Sequence, residues 1–182
     1  MNSLPHEAKV VVIGGGIAGC STAYHLAKNG WDTVLIERDV LTSGTTWHAA
    51  GMVTQLGTTP QITKIRKSSV KFYKDLKEIT GQDTSFRHTG TINIATTKSR
   101  YQEYLRQLTT SKLLNLDIEI INKKKFKDLY PIAKNEDIYG GLYIPQDGQA
   151  DPEILTKVIA AAAKKEGVKI FEKCKLQKIL KR

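Results

Sequence analysis

A chain of 182 residues is long enough for one domain with a real core, or for one domain and part of another. Apolar residues make up 40% and charged residues 25%, an ordinary globular balance, and no run approaches the eighteen or so apolar residues of a membrane span. The net charge of +10 invites a nucleic-acid reading, but its distribution opposes one: the first sixty residues hold three Lys/Arg against four Asp/Glu, and the excess lies beyond them, scattered except for a dense spot at "KKKFK" (123–127). No series of aromatics interleaves with those cations, as a single-strand binder requires, so a solvated lysine surface is expected, with neither a nucleic-acid nor a membrane partner. The opening "MNSLPHEAK" has no apolar signal core and no arginine-rich amphipathic pattern, which makes a cytoplasmic location the expectation, or a mitochondrial matrix one if a presequence has been removed. Cys20 and Cys174 fit no metal-ligand spacing, and Cys20 reads as a small buried thiol.

In chain order, "KVVVI" (9–13) predicts a buried parallel strand. "IAGCSTAYHLAKNG" predicts a helix with Ala18, Ala23, Leu26 and Ala27 on its apolar face and Gly30 as its stop, and "TVLIE" (33–37) the second strand. Together they make a βαβ unit of about thirty residues, the length that a parallel crossover needs. An amphipathic helix is expected from Pro60 to Gly81, with Ile62, Ile65, Val70, Phe72, Tyr73, Leu76 and Ile79 at three- and four-residue steps. A strand at 90–96, a helix at 99–116, a strand at 118–121 and a short helix at 124–131 follow. "IYGGLYIP" (138–145) predicts a strand whose glycine pair marks a bulge or a close backbone approach. Asp151 can cap and Pro152 open the helix that ends at Gly167, after which 168–173 and 174–180 read as strands.

The chemistry begins at "GGGIAG", where Gly14, Gly16 and Gly19 form G-x-G-x-x-G directly after a strand and at the start of a helix. Gly14 permits the tight turn, Gly16 lets the backbone approach a pyrophosphate, and Gly19 lets helix and strand pack closely. The helix N-terminus then holds the anion without a lysine. Glu37 stands 23 positions after Gly14 at the end of the second strand, where an acid can accept both hydroxyls of an adenosine ribose and oppose a 2′-phosphate. NADP is therefore not expected, although the motif itself does not separate NAD from FAD.

The loop after that strand, "LTSGTTWHAAGMV", leaves the edge of the sheet along which a dinucleotide lies. Ser43, Gly44, Thr45 and Thr46 offer hydroxyl and backbone groups to phosphate or ribityl oxygens. His48 would lie toward the far end of the ligand; for FAD that end is the flavin, whose 8α-methyl carbon can become electrophilic toward a neutral imidazole. Both this and a plain turn-capping histidine are open on the residues alone. Trp47 reads equally as a flavin shield or a packing aromatic, and His6, His25 and His88 as structural or solvated histidines.

"VVIGGGIAG", "LIERDVLTSGTTWHAAGMV", "HTGTINIATT" and "GGLYIPQDGQADP" together resemble the N-terminal part of the dimethylglycine and sarcosine dehydrogenase family, flavoproteins of the D-amino-acid-oxidase-like superfamily. The resemblance covers essentially the whole chain. It implies an α/β fold: a Rossmann-like FAD-binding domain with a parallel sheet, and the beginning of an α+β substrate domain. Residues 1–53 would form the dinucleotide-binding core and flavin loop, 54–150 a mixed substrate-side region, and 151–182 a returning helix and strands. It implies FAD at Gly14, Gly16, Ile17, Ala18, Gly19, Glu37, Arg38 and the span Gly44 to Met52, which includes Ala49, Ala50 and Gly51, with the covalent link at His48. The implied reaction is oxidation of an N-methyl amino acid, with the resulting iminium hydrolysed or passed to a one-carbon acceptor; tetrahydrofolate would require a C-terminal region not present here. No catalytic base and no electron acceptor is assigned, and the chain reads as a fragment without turnover. Two rival readings are a noncovalent flavin or NAD oxidoreductase and a noncatalytic relative resembling the pyruvate dehydrogenase phosphatase regulatory subunit.

Overall fold

The computed structural model describes residues 4–180. Its elements in chain order are β1 (Val10–Ile13), α1 (Ile17–Lys28), β2 (Thr33–Ile36), a 3-10 turn (Thr46–His48), β3 (Met52–Val53), α2 (Pro60–Thr80), β4 (Thr91–Ala95), α3 (Lys98–Leu113), β5 (Glu119–Ile121), α4 (Lys123–Leu129), β6 (Gly140–Ile144), β7 (Gly148–Gln149), α5 (Pro152–Lys165) and β8 (Lys169–Phe171). The two-residue strands β3 and β7 leave no periodicity that a sequence could show. The chain forms two units, one of residues 4–52, 73–86 and 150–180, the other of 53–72 and 87–149.

The first unit is built on a parallel sheet of order β1-β2-β8, with Val10 opposite Thr33 and Val34 opposite Lys169. β2 is its central strand, and all four of its residues are buried, which is why that segment reads as an unbroken β-branched and aliphatic run. β1 is an edge strand instead, so Val11 and Ile13 stay 50% and 55% exposed where full burial was expected. Helices α1 and α5 pack on each other. α1 buries Cys20, Ala23 and Tyr24; Ala18, expected on that face, is exposed because the contact stripe is rotated toward Cys20. α5 buries Leu155, Val158, Ile159, Ala162 and Ala163, of which the two alanines are small enough to let helices approach closely. Truncating Ile159 to alanine removes fully buried methylenes and costs about 2–5 kcal/mol. Asp151 caps α5 as expected, accepting the N–H groups of Glu153 and Ile154 at 2.8 and 2.9 Å, with Pro152 in the first turn. The segment 174–180, expected to be a strand, is irregular: no strand of the described residues pairs with it, and Ile179 and Leu180 lie exposed.

The second unit holds an antiparallel sheet of order β4-β6-β5, in which Ile94 faces Gly141 and Ile120 faces Leu142. The register runs unbroken through Gly140 and Gly141, so the glycine pair makes no bulge. It permits close approach instead: a Cβ on Gly140 (φ +156°) would meet the Tyr101 ring at 2.6 Å and the Ile121 carbonyl oxygen at 2.7 Å. Ile121, Phe126 and Ile138 form its core with Ile92 and Tyr143 against them. Asp147 is fully buried and accepts the Gln55 N–H at 2.8 Å and the Thr91 hydroxyl at 2.6 Å, tying the loop after β3 to the sheet. Burial pushes its carboxyl above the ordinary range, and the two hydrogen bonds only partly offset that.

Several lysines of the basic surface donate to carbonyls at helix ends. Lys67 donates to the Leu114 and Asn115 carbonyls just past α3 at 2.7 and 2.9 Å, and Lys165 donates to the Ile79 and Thr80 carbonyls at the end of α2 at 3.0 and 3.1 Å. These are the carbonyls a helix leaves without an internal partner, at the negative end of its dipole. Within the dense basic stretch, Lys123 and Lys127 donate to the carbonyls of Glu136 and Ala133.

Candidate functional site

β1 ends at Ile13, and the chain turns at once. Gly14 sits at φ +109°, a conformation L side chains rarely adopt, and its N–H donates to the Ile36 carbonyl at 2.8 Å. Gly16 is the N-cap of α1, extended and without a side-chain cap, so the start of the helix is left to other partners. A Cβ on Gly19 would run into the Gly14 carbonyl oxygen, which confirms the close strand–helix packing expected of the third glycine. Gly15, unassigned from the sequence, is also crowded, though by side chains rather than backbone. Its Cβ would stand 2.6 Å from Leu41 Cδ2 and 3.1 Å from Glu37 Cβ. A run of three glycines, one more than the motif needs, was the available signal.

Glu37 follows β2 and reaches back over this turn. Its Oε2 accepts the Gly15 N–H at 2.6 Å and its Oε1 accepts the Asp39 N–H at 2.9 Å. Partial burial pushes the carboxyl up, but the Asp39 and Gly15 donors and the Arg38 charge together outweigh it, leaving Glu37 below the ordinary carboxylate range. It is an anion at neutral pH, fixed in place with lone pairs to offer. Arg38 is exposed, 3.4 Å from Asp39.

The loop from 40 to 48 is fastened to the same turn at two points. The Thr42 N–H donates to the Gly15 carbonyl at 3.1 Å, and buried Thr46 accepts the Ile17 N–H on Oγ1 at 3.1 Å. A Cβ on Gly16 would lie 2.9 Å from that same Oγ1, so the loop rests directly on the glycine. From Thr46 the chain makes one 3-10 turn through Trp47 and His48. Ser43, Gly44, Thr45, Trp47, His48, Ala49, Ala50 and Met52 are exposed. Gly51 (φ +75°) abuts the Ala150 backbone, whose N–H donates to the Gly51 carbonyl at 2.9 Å. The structure thus joins Gly14–Gly19, Glu37 and Thr46 by direct contacts, and strings Ser43–Thr45 and Trp47–Met52 along a loop leading away from them.

Glu172, just past β8, escaped the sequence reading. Its Oε1 accepts the Leu41 N–H at 2.7 Å, while the N–H groups of Lys173 and Cys174 donate to the carbonyls of Asp39 and Glu37 at 2.7 and 2.8 Å. The signal was an acid closing the third parallel strand as Glu37 closes the second. Cys20 lies under the turn, its Sγ 3.6 Å from the Gly15 carbonyl oxygen, and burial, with the Glu37 and Glu172 charges, pushes its thiol up to about 11.

A helix whose N-cap is a glycine and whose first N–H alone is taken, by Thr46, a backbone turn that only glycine can make, open space where a Gly14 side chain would stand, and a carboxylate one strand away form a cradle whose donors suit a pyrophosphate and whose acid suits ribose hydroxyls. These residues fit FAD. A family described as FAD dependent oxidoreductase (DAO) matches residues 9–182. The chain belongs to this family. Rat mitochondrial dimethylglycine dehydrogenase is 43% identical over 163 residues, 89% of this chain and 19% of that protein. Mouse mitochondrial sarcosine dehydrogenase is 40% identical over 173 residues, 94% of this chain and 19% of that protein. This DAO-family chain therefore spans about a fifth of the length of the curated relatives it matches. Among solved structures, L-proline dehydrogenase from P. horikoshii superposes with a TM-score of 0.91 at 28% identity, covering 97% of this chain and 47% of that one. The α/β fold of FAD-dependent oxidoreductases is the fold of this chain. Among the described residues no helix is long and apolar enough to cross a membrane.

Proposed function

We propose that this chain supplies the dinucleotide-binding part of a flavoprotein that oxidises an N-methylated amino acid of the dimethylglycine or sarcosine type. The observation that carries the reading is the double attachment of the Trp47–His48 loop to the glycine turn, through Thr42 and Thr46. That attachment anchors the loop carrying His48 directly to the pyrophosphate cradle. The names of the relatives at about 40% identity support the substrate class.

The N–H groups at the start of α1 receive the pyrophosphate, with the helix dipole behind them. Glu37 accepts the ribose hydroxyls. Ser43, Gly44 and Thr45 donate along the rest of the ligand, and Ala49, Ala50, Gly51 and Met52 bring small or unbranched groups beside it. When bound, FAD supplies the two-electron chemistry that accepts a hydride equivalent from the substrate's N-methyl carbon. His48 is the residue that would hold the flavin covalently, through an imidazole nitrogen on the 8α-carbon; replacing an N–H and a C–H by that bond would release two protons and two electrons and so would require a two-electron acceptor such as dioxygen. The iminium product is then hydrolysed, or its one-carbon unit is taken by a folate.

Incubating the protein with FAD and running it denatured on a gel tests this. The band should fluoresce under ultraviolet light, and His48→Ala should be dark. A dark wild-type band from protein that does bind FAD would refute the covalent link, and a fluorescent His48→Ala band would move it to another residue. For the substrate class, bleaching of bound flavin by sarcosine or dimethylglycine, but not by glycine, is the expected result.

A further inference from the structure

Trp47 and His48 stand with their rings against each other, centroids 3.8 Å apart and planes 33° from parallel. Their backbone does not impose this. In a 3-10 turn successive side chains leave the axis about 120° apart, so two neighbours meet only when both rings bend toward one another. The turn itself is held firmly. Thr46 is pinned to the start of α1, the His48 N–H donates to the Thr45 carbonyl at 3.2 Å, and the Ala49 N–H donates to the Thr46 carbonyl at 3.1 Å. What remains for His48 is rotation about its two side-chain torsions, and the indole lies across that rotation. Trp47 is not there to fill a core: it is 54% exposed, and it lines a groove of about 580 Å³ with Leu41, Thr42, Glu153, Lys157 and Glu172. The Leu41–Glu172 hydrogen bond at 2.7 Å fixes one wall of that groove.

We propose that Trp47 is a positioning residue, which holds the imidazole of His48 in the single orientation that bonds to flavin; this rests on the covalent reading above. The indole covers one face of the imidazole and leaves its nitrogen-bearing edge to be aimed. Three χ1 wells and two broad χ2 orientations give a histidine about six arrangements, so loss of the stack dilutes the attacking one by up to about six-fold. Bond formation slows in proportion.

The test follows labelling rather than turnover. Protein is saturated with FAD, bound flavin is measured by its visible absorbance, and the fluorescent denatured band is followed in time and expressed per bound flavin. Trp47→Leu should label about three to six times more slowly, while Trp47→Phe, which keeps a ring in place, should stay within about two-fold of wild type. In flavin-free protein, NMR should show the His48 ring protons shifted upfield by the indole in wild type, and by the phenyl ring in Trp47→Phe, with the shift gone in Trp47→Leu. Wild-type labelling in Trp47→Leu, or the absence of the upfield shift in wild type, overturns the role of Trp47 and leaves that of His48 standing. A wild type that binds FAD without ever labelling, or a His48→Ala that labels, overturns the covalent reading and this one with it.

Discussion

Replacing Glu37 by glutamine separates charge from shape at the join between β2 and the glycine turn. Both carboxylate oxygens accept backbone N–H groups, from Gly15 at 2.6 Å and Asp39 at 2.9 Å. A glutamine of the same size has one oxygen and one NH₂, so whichever way it turns it aims a donor at a donor. One charge-assisted hydrogen bond is lost and the other weakened. Such bonds contribute about 1.5–3 kcal/mol each when buried, and partial exposure of Glu37 brings the expected cost to about 1–2 kcal/mol. In a chain of this size that lowers Tm by about 2–8 °C. Glu37→Ala, which loses both acceptors, should cost at least as much, whereas a purely steric role would leave Glu37→Gln near wild type. The pH dependence carries a sign. The folded pKa of Glu37 lies below its ordinary 4.5, so its stabilisation is complete above 4.5 and is lost as pH falls through the lowered value. The gap between wild type and Glu37→Gln should therefore close in acid. Urea melts from pH 7 down to pH 3 measure this, and FAD titration of the same variants should show binding weakened about ten-fold, the equivalent of about 1.4 kcal/mol. A Glu37→Gln protein with unchanged Tm and unchanged FAD affinity would refute both the structural and the binding role.

Gly19→Ala places a methyl group against the Gly14 carbonyl, which backbone alone can relieve, so a loss of about 1–3 kcal/mol and of FAD binding is expected; normal binding at normal Tm would mean that α1 and β1 are not so closely packed. Asp147 titrates above its ordinary 3.8, so it withdraws stability as pH rises from 3.8 through its folded value. Asp147→Asn should remove that loss, since the Thr91 hydroxyl can turn to accept from the new NH₂, and the wild-type-minus-Asn stability difference should decline with rising pH; a difference that grows with pH would reverse the assignment. Cys20, with its thiol near 11, is about one part in a thousand thiolate at pH 8, so native alkylation read by peptide mass should fall on half-buried Cys174 and reach Cys20 only after unfolding.

The βαβ unit, the helix from Pro60, the caps at Gly30, Gly81 and Asp151, and the glycine turn could all be read from residue order, because each is decided within a turn or two of chain. The meeting of the glycine turn with Glu37 was legible for a related reason: a G-x-G-x-x-G between strand and helix, and an acid one strand later, come together through the pairing of the two strands. Misreadings came where burial is decided by distant neighbours. "KVVVI" has the composition of a central strand, yet Val11 and Ile13 are half exposed, because a strand's burial depends on what lies at both its edges. The segment 174–180 alternates well enough for a strand, but no strand of the described residues pairs with it, and a strand is defined by its partner. Ala18 fits the apolar periodicity of α1, yet the face that α1 buries is that of Cys20, Ala23 and Tyr24, set by what packs on it.

Residue order by itself determined the glycine turn, the position of Glu37 behind β2 and the α/β class, since local sterics and hydrophobic periodicity leave few alternatives. Only the tertiary structure decided that Thr46 sits on the first N–H of α1, that Glu172 latches the loop at Leu41, and that the indole of Trp47 lies against His48. These contacts join residues 29 and 131 positions apart, or turn two adjacent side chains toward each other, and no local propensity encodes either; they exist because packing α1, α5 and three parallel strands brings the ends of those strands to one edge.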